Sequence, residues 1–182
     1  MRESATPNVV LVGFMGTGKT TAGRLLAERL GRPWRDTDDY IRREAGLSVP
    51  AIFSRLGEER FRELETRAAA EYSEPWGLVL STGGGILGTD ENVELLRRGG
   101  VLVCLTARPG EIIRRIRNPH ERPMLLTAAT PEEAVARLLE ERAPRYALAD
   151  WTLDTTDLSS DQVTEAICTE LPSLFQRWST RS

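Results

Sequence analysis

The chain has 182 residues, 40% of them hydrophobic and 28% charged, and a formal net charge of −3. That is enough apolar material for one domain spanning 1–182 with a core that needs no staples. The slightly acidic balance argues against a general nucleic-acid binder, and no run approaches the roughly 18 apolar residues of a membrane span.

Met1 to Asn8 is short and polar, with no signal-peptide pattern, so a cytoplasmic protein is expected. Val9–Val12 reads as a strand. Gly13-Phe14-Met15-Gly16-Thr17-Gly18-Lys19-Thr20 follows, and then a helical pattern over Thr20–Leu30 with Ala22, Leu25, Leu26 and Leu30 on one face. This is the G-x-x-x-x-G-K-[ST] loop in its strand–loop–helix setting. Its glycines let backbone N–H groups turn inward on a phosphate, and the helix start adds unpaired donors. Lys19 supplies a compact cation for the β- and γ-phosphates, and the Thr20 hydroxyl is placed for Mg²⁺. Lys19 is the only lysine in the chain. Where arginine otherwise provides positive charge, that choice points to a site needing an ammonium.

Trp34–Asp36 is a second strand, ending in Asp36-Thr37-Asp38-Asp39. In extended geometry Asp36 and Asp38 point the same way, one toward Mg²⁺ and the other toward a substrate hydroxyl. Capping of the next helix is the bland alternative, with Asp39 the expected cap. Helical patterns follow over Asp39–Ala45, Pro50–Arg55 and Glu58–Tyr72. A third strand, Leu78–Ser81, runs into Gly83-Gly84-Gly85, too costly in backbone entropy for the interior of an element and suited to close approach by a ligand. Then come helix Glu91–Arg97, strand Val101–Leu105 and helices Pro109–Ile116 and Pro131–Arg142, the last opened by Thr130-Pro131-Glu132-Glu133. Strand Trp151–Asp154 and helix Ser160–Arg177 complete the series, and Trp178 to Ser182 are expected to fray. Cys104 and Cys168 are expected as free thiols. His120 is expected to be exposed and not catalytic. Trp34, Trp76 and Trp151 are expected in packing, and Arg24, Arg29, Arg42, Arg43, Arg97 and Arg98 on solvated faces.

Alternating strands and helices, with continuously apolar strands, give a three-layer α/β/α sandwich around a five-stranded parallel sheet. Ligands bind beyond the carboxyl ends of such strands, so the loop after Val12, the Asp36–Asp39 run and the glycine triplet should converge.

The order of these segments, with Phe61-Arg62-Glu63-Leu64-Glu65, Arg122-Pro123-Met124-Leu125, Arg142-Ala143-Pro144-Arg145-Tyr146 and Leu153-Asp154-Thr155, resembles the shikimate kinase family of P-loop enzymes. The resemblance runs from about Val9 to Asp154. It implies transfer of the γ-phosphoryl group of ATP to the 3-hydroxyl of shikimate with Mg²⁺, by a monomer with a substrate-binding segment at about 36–65 and a lid at about 118–129. It further implies roles for single residues. Asp38 hydrogen-bonds the substrate hydroxyls and acts as base. Asp36 reaches Mg²⁺ through water, beside Thr20. Arg62 and Arg142 grip the carboxylate, and Gly84, flanked by Gly83 and Gly85, meets substrate through its backbone. Gly13, Gly16, Thr17, Gly18, Lys19, Thr20 and Thr21 hold the nucleotide. Arg115 packs on adenine, and Arg122 reaches the phosphates as the lid closes, so that Lys19, Asp38 and Arg122 form the catalytic set. The proline common a few residues after the Asp-Thr pair is absent, and Thr156-Asp157-Leu158 stands there instead. A kinase for another hydroxy acid such as gluconate, a nucleoside monophosphate kinase, or a non-catalytic nucleotide switch are the other readings.

Overall fold

The computed structural model describes residues 6–74, 76–116 and 123–181. Five strands, β1 (Asn8–Val12), β2 (Trp34–Asp36), β3 (Val79–Ser81), β4 (Gly100–Thr106) and β5 (Trp151–Asp154), form one sheet in the order β2-β3-β1-β4-β5. All four pairings are parallel. The helices between them are α1 (Lys19–Leu30), α2 (Thr37–Ala45), α3 (Val49–Glu71), α4 (Asp90–Gly99), α5 (Pro109–Arg115), α6 (Pro131–Tyr146) and α7 (Ser160–Ser179). This is the expected three-layer arrangement.

Alternation along the strands sends side chains to two cores. Val9 and Leu11 join Leu26 of α1 and Ile167 and Leu171 of α7 on one face. Val10 and Val12 join Ala69 of α3, Leu96 of α4, Ile112 of α5 and Leu138 of α6 on the other. β1 and the apolar run of β4 are buried throughout, which is why both read as unbroken apolar segments. Each fully buried leucine, isoleucine or phenylalanine contributes roughly 1.5–3 kcal/mol of transfer free energy. A third, smaller core, with Ile41, Ile52, Phe61, Leu64 and Ala68, holds α2 against α3. Buried Asn8 ties β1 to the approach to β3, donating to the carbonyls of Tyr72 and Glu74 and accepting from Leu78 N–H.

Several boundaries differ from the sequence reading, each for a physical reason. The two patterns Pro50–Arg55 and Glu58–Tyr72 are halves of α3, broken at Gly57, whose φ of 83° and ψ of 169° turn the axis. α6 runs past Arg142 and through Pro144 to Tyr146, because the Tyr146 side chain is buried and its hydroxyl donates to Gly84 O at 2.7 Å. The expected fraying after Arg177 is not seen before Arg181. Trp178 Nε1 donates to Arg97 O, and Arg181 pairs with the nearly enclosed Asp150 at 2.7 Å. Trp34 and Trp151 pack as expected, but Trp76 is 57% exposed. Cys104 and Cys168 are both free. His120 lies outside the described residues.

Candidate functional site

β1 lies between β3 and β4, so the chain reverses its winding across it. The crevice at that switch point is where an open parallel sheet receives ligands. The loop after β1 is shaped by Gly13, Gly16 and Gly18, with φ of 126°, 78° and 93°. At Gly13 a Cβ would also strike the Leu105 carbonyl. Lys19 is almost wholly covered, and its ammonium donates to the carbonyls of Gly13 at 2.8 Å and Phe14 at 2.7 Å. Thr17 is buried and its hydroxyl donates to Phe14 O at 2.8 Å.

Asp36 is the N-cap of α2, accepting from Asp38 N–H at 2.9 Å. Asp38 and Asp39 therefore sit in the first helical turn, and the extended geometry expected for the Asp36–Asp38 pair is corrected. So is the choice of Asp39 as cap. A capping carboxylate needs N–H groups two and three residues on, and Asp36 is the residue at which extended backbone meets helix. The Asp36 carboxylate still faces the loop after β1, where Thr20 Oγ1 donates to its Oδ2 at 3.3 Å. Burial, with the charges of Asp38 and Asp39 beside it, raises its pKa to about 6.

The glycine triplet leaves room where four functional side chains press in. A Cβ on Gly83 would lie 3.0 Å from Asp38 Oδ1 and 3.2 Å from Glu65 Oε1. One on Gly84 would meet Met15 N and an Arg142 guanidinium nitrogen, and one on Gly85 would overlap Arg62. Arg62 is held by two acids on its own helix, Glu58 at 2.8 Å and Glu65. Glu65 is buried. Burial holds its carboxyl above the ordinary range, and Asp38 adds to the push, while Arg62 and Arg142 oppose it. Among the described residues Arg142 has no carboxylate within ion-pair distance, and its guanidinium lies 5.5 Å from the centre of the Phe14 ring.

Three cavities follow from this layout. One of about 350 Å³ lies over the loop, lined by Gly16, Gly18, Lys19, Thr20, Thr21, Asp36 and Asp38. One of about 480 Å³ adjoins it, lined by Asp38, Phe53, Phe61, Arg62, Glu65, the glycine triplet, Met124 and Arg142. The third, of about 510 Å³, lies at the far side of the loop, between Gly16–Gly18 with Thr21 and the segment after β5. There Arg115 donates to Thr155 Oγ1 at 3.0 Å and to the carbonyls of Thr155 and Thr156. The expected nucleotide and substrate residues are thus brought to the same end of the sheet, except Arg122, which lies outside the described residues. The C-terminal part of the expected lid is a 3₁₀ turn at Pro123–Thr127, with Leu125 buried and Met124 on the second cavity.

Sequence reasoning missed Glu65, Met15, Tyr146 and the placement of Arg24 and Arg42. Glu65 stands three residues after Arg62 on a helix, the spacing of an ion pair, and that signal was available. Arg24 and Arg42 are exposed, as expected, but the side they occupy also lines the loop cavity. Arg97 is also partly enclosed, donating to Leu148 O. Acidic neighbours in sequence do not tell which side of a helix faces a crevice.

A family model described as "Shikimate kinase" matches residues 15–172. The shikimate kinase of Geobacter sulfurreducens is 47% identical over 162 residues, 89% of each chain. That of Thermodesulfovibrio yellowstonii is 40% identical over 167 residues, 92% of this chain and 96% of that one. Among solved structures, the shikimate kinase from Acinetobacter baumannii in complex with shikimate superposes with a TM-score of 0.87 at 37% identity, covering 92% of this chain and 94% of that chain.

Proposed function

Since the chain belongs to the shikimate kinase family, we propose that it transfers the γ-phosphoryl group of ATP to the 3-hydroxyl of shikimate, giving shikimate 3-phosphate and ADP. The observation that carries this reading is the meeting of two cavities at Asp38, a loop built for phosphates on one side and two guanidiniums on the other. Nucleotide phosphates take the N–H groups of the loop from Gly13 to Gly18, with Lys19, Thr20 and Thr21. Lys19 leaves the carbonyls of Gly13 and Phe14 to meet them. Adenine lies in the third cavity, against Arg115. A planar carboxylate on the substrate takes paired hydrogen bonds from Arg62 and Arg142. The backbone of Gly83, Gly84 and Gly85 then lies along the ring of the bound acid.

Asp38 accepts a hydrogen bond from the 3-hydroxyl and takes its proton as the new oxygen–phosphorus bond forms and the bond to the bridging oxygen breaks. Little covalent help is needed, so position and positive charge do most of the work. Arg122 brings a further cation when the lid shuts, which also keeps water from the γ-phosphoryl group. The donor set fits Mg²⁺. Thr20 and Asp36 are hard oxygen donors 3.3 Å apart, and the crowding of Asp36 by Asp38 and Asp39 is relieved by a divalent cation. When bound with the nucleotide, the ion neutralises phosphate charge. The chain acts as one unit and as a cytoplasmic monomer. Among the described residues the exposed large apolar side chains, Leu56, Trp76 and Leu126, lie on separate elements, and no helix is long and apolar enough to cross a membrane.

Kinetics of two variants test the roles. Arg62 meets a charge that stays constant through the reaction, so Arg62→Ala should mainly raise KM for shikimate, by about 10- to 150-fold. Arg122→Ala should mainly lower kcat. Full kcat for Arg122→Ala at saturating shikimate, with Arg62→Ala inactive, would reverse the two assignments.

A further inference from the structure

We infer that Arg42 is a further substrate-contacting cation, one that follows the phosphoryl group from ATP to the acceptor. This rests on the kinase reading above and adds a residue to it. The loop cavity and the acceptor cavity share few lining residues: Met15, Asp38, Arg42, Gly83 and Gly84. The phosphoryl group must cross where both cavities have the same walls. Lys19 lines only the loop side of that junction, and Arg62 and Arg142 only the acceptor side. Among the described residues Arg42 is the one cation lining both.

Its surroundings support the role. Asp36, Asp38 and Asp39 all line the loop cavity, so a phosphate arriving on the acceptor meets carboxylates at close quarters. A guanidinium beside them offsets that repulsion and matches the geometry of phosphate oxygens. In this structure Arg42 pairs with Asp39, one turn back on the same helix, with both side chains about half exposed. Pairs of that kind are weak and screened, so the guanidinium is free to exchange a carboxylate for a phosphate at little cost. A long side chain near the end of a short helix has the reach to do so. The neighbouring arginines behave differently. Arg43 faces Tyr40 and Glu44, and Arg24 stacks on Trp34 at 4.5 Å and lines the loop cavity alone. Arg42 takes no part in bond making. The acceptor oxygen gains the phosphorus, ADP leaves with the bridging oxygen, Asp38 takes the proton, and Arg42 pairs with the new phosphate ester.

The role predicts a difference between two ligands that differ only in that group. Dissociation constants for shikimate and shikimate 3-phosphate, with kcat and KM, should be measured for the parent, Arg42→Ala and Arg42→Lys. Arg42→Ala should weaken shikimate 3-phosphate by about 10- to 150-fold, lower kcat, and leave shikimate binding nearly unchanged. Arg42→Lys should recover part of both losses, since a point charge replaces the fork. A pair serving only the helix would move the thermal midpoint and leave the ratio of the two affinities alone. Equal shikimate 3-phosphate affinity in parent and Arg42→Ala overturns the inference. Parallel weakening of both ligands also overturns it, because Arg42 would then merely shape the acceptor cavity. A parent that binds and phosphorylates no shikimate is a separate result. It removes the kinase reading itself, and the inference with it.

Discussion

Asp36→Asn should stabilise the unliganded protein while impairing its use of Mg²⁺ and nucleotide. Burial and the charges of Asp38 and Asp39 raise the Asp36 carboxyl from 3.8 to about 6. Ionising it is therefore harder in the folded chain than in the unfolded one, and the folded protein carries that cost at neutral pH. At 1.36 kcal/mol per pKa unit the cost is about 1.5–3 kcal/mol. It is fully present above about pH 6, declines as the pH falls through that value, and is gone below the ordinary carboxyl range near pH 4. Asparagine caps helices as well as aspartate does, and its Oδ1 can still accept from Asp38 N–H. The substitution therefore removes the charge and keeps the cap. For a chain of this length the gain corresponds to about 3–12 °C in Tm. Thermal unfolding without nucleotide or Mg²⁺ should show that increase at pH 8 and a much smaller one at pH 4.5. No increase at pH 8, or the same increase at both values, refutes the reasoning.

Lys19 is the only lysine, so an amine-selective reagent has only it and the N-terminus as targets. Mg·ATP should shield Lys19, and activity should fall in step with its labelling as followed by mass spectrometry; equal labelling with and without nucleotide contradicts its place on the phosphates. Arg181→Ala leaves Asp150, whose side chain is 3% exposed, without its charged partner. Leu102 N–H still donates to the carboxylate at 2.8 Å, so the loss should be about 1–3 kcal/mol by denaturant titration, with kcat unaltered. An unchanged midpoint means that the end of α7 contributes nothing there.

The sheet was legible because burial on both faces leaves an unbroken apolar run, as in Val101–Leu105, and because the loop after β1 has a fixed pattern of glycines with a lysine and a threonine. What misled was local geometry that depends on neighbours. The Asp36–Asp38 spacing fits a strand end and a helix start equally well, and only the bond from Asp38 N–H to Asp36 decides between them. The triplet Gly83–Gly85 stood out in sequence, but what it makes room for comes from residues far away in the chain, Asp38, Arg62, Glu65 and Arg142. Arg42 and Arg43 are adjacent and alike, yet one lines the crevice and the other lies on Tyr40. The helical pattern read over Pro131–Arg142 stops short, whereas burial of Tyr146 carries α6 on through Pro144.

The most direct measurement is ADP release by the purified protein with Mg·ATP, comparing shikimate, gluconate and AMP as acceptors. Gluconate tests whether any hydroxylated acid suffices, and AMP whether the acceptor site takes a nucleotide. Rapid ADP release with shikimate, accompanied by shikimate 3-phosphate, and little or none with the other two is the result expected of Asp38, Arg62, Arg142 and the glycine triplet acting together. Turnover of gluconate or AMP equal to that of shikimate, or none with shikimate, contradicts it.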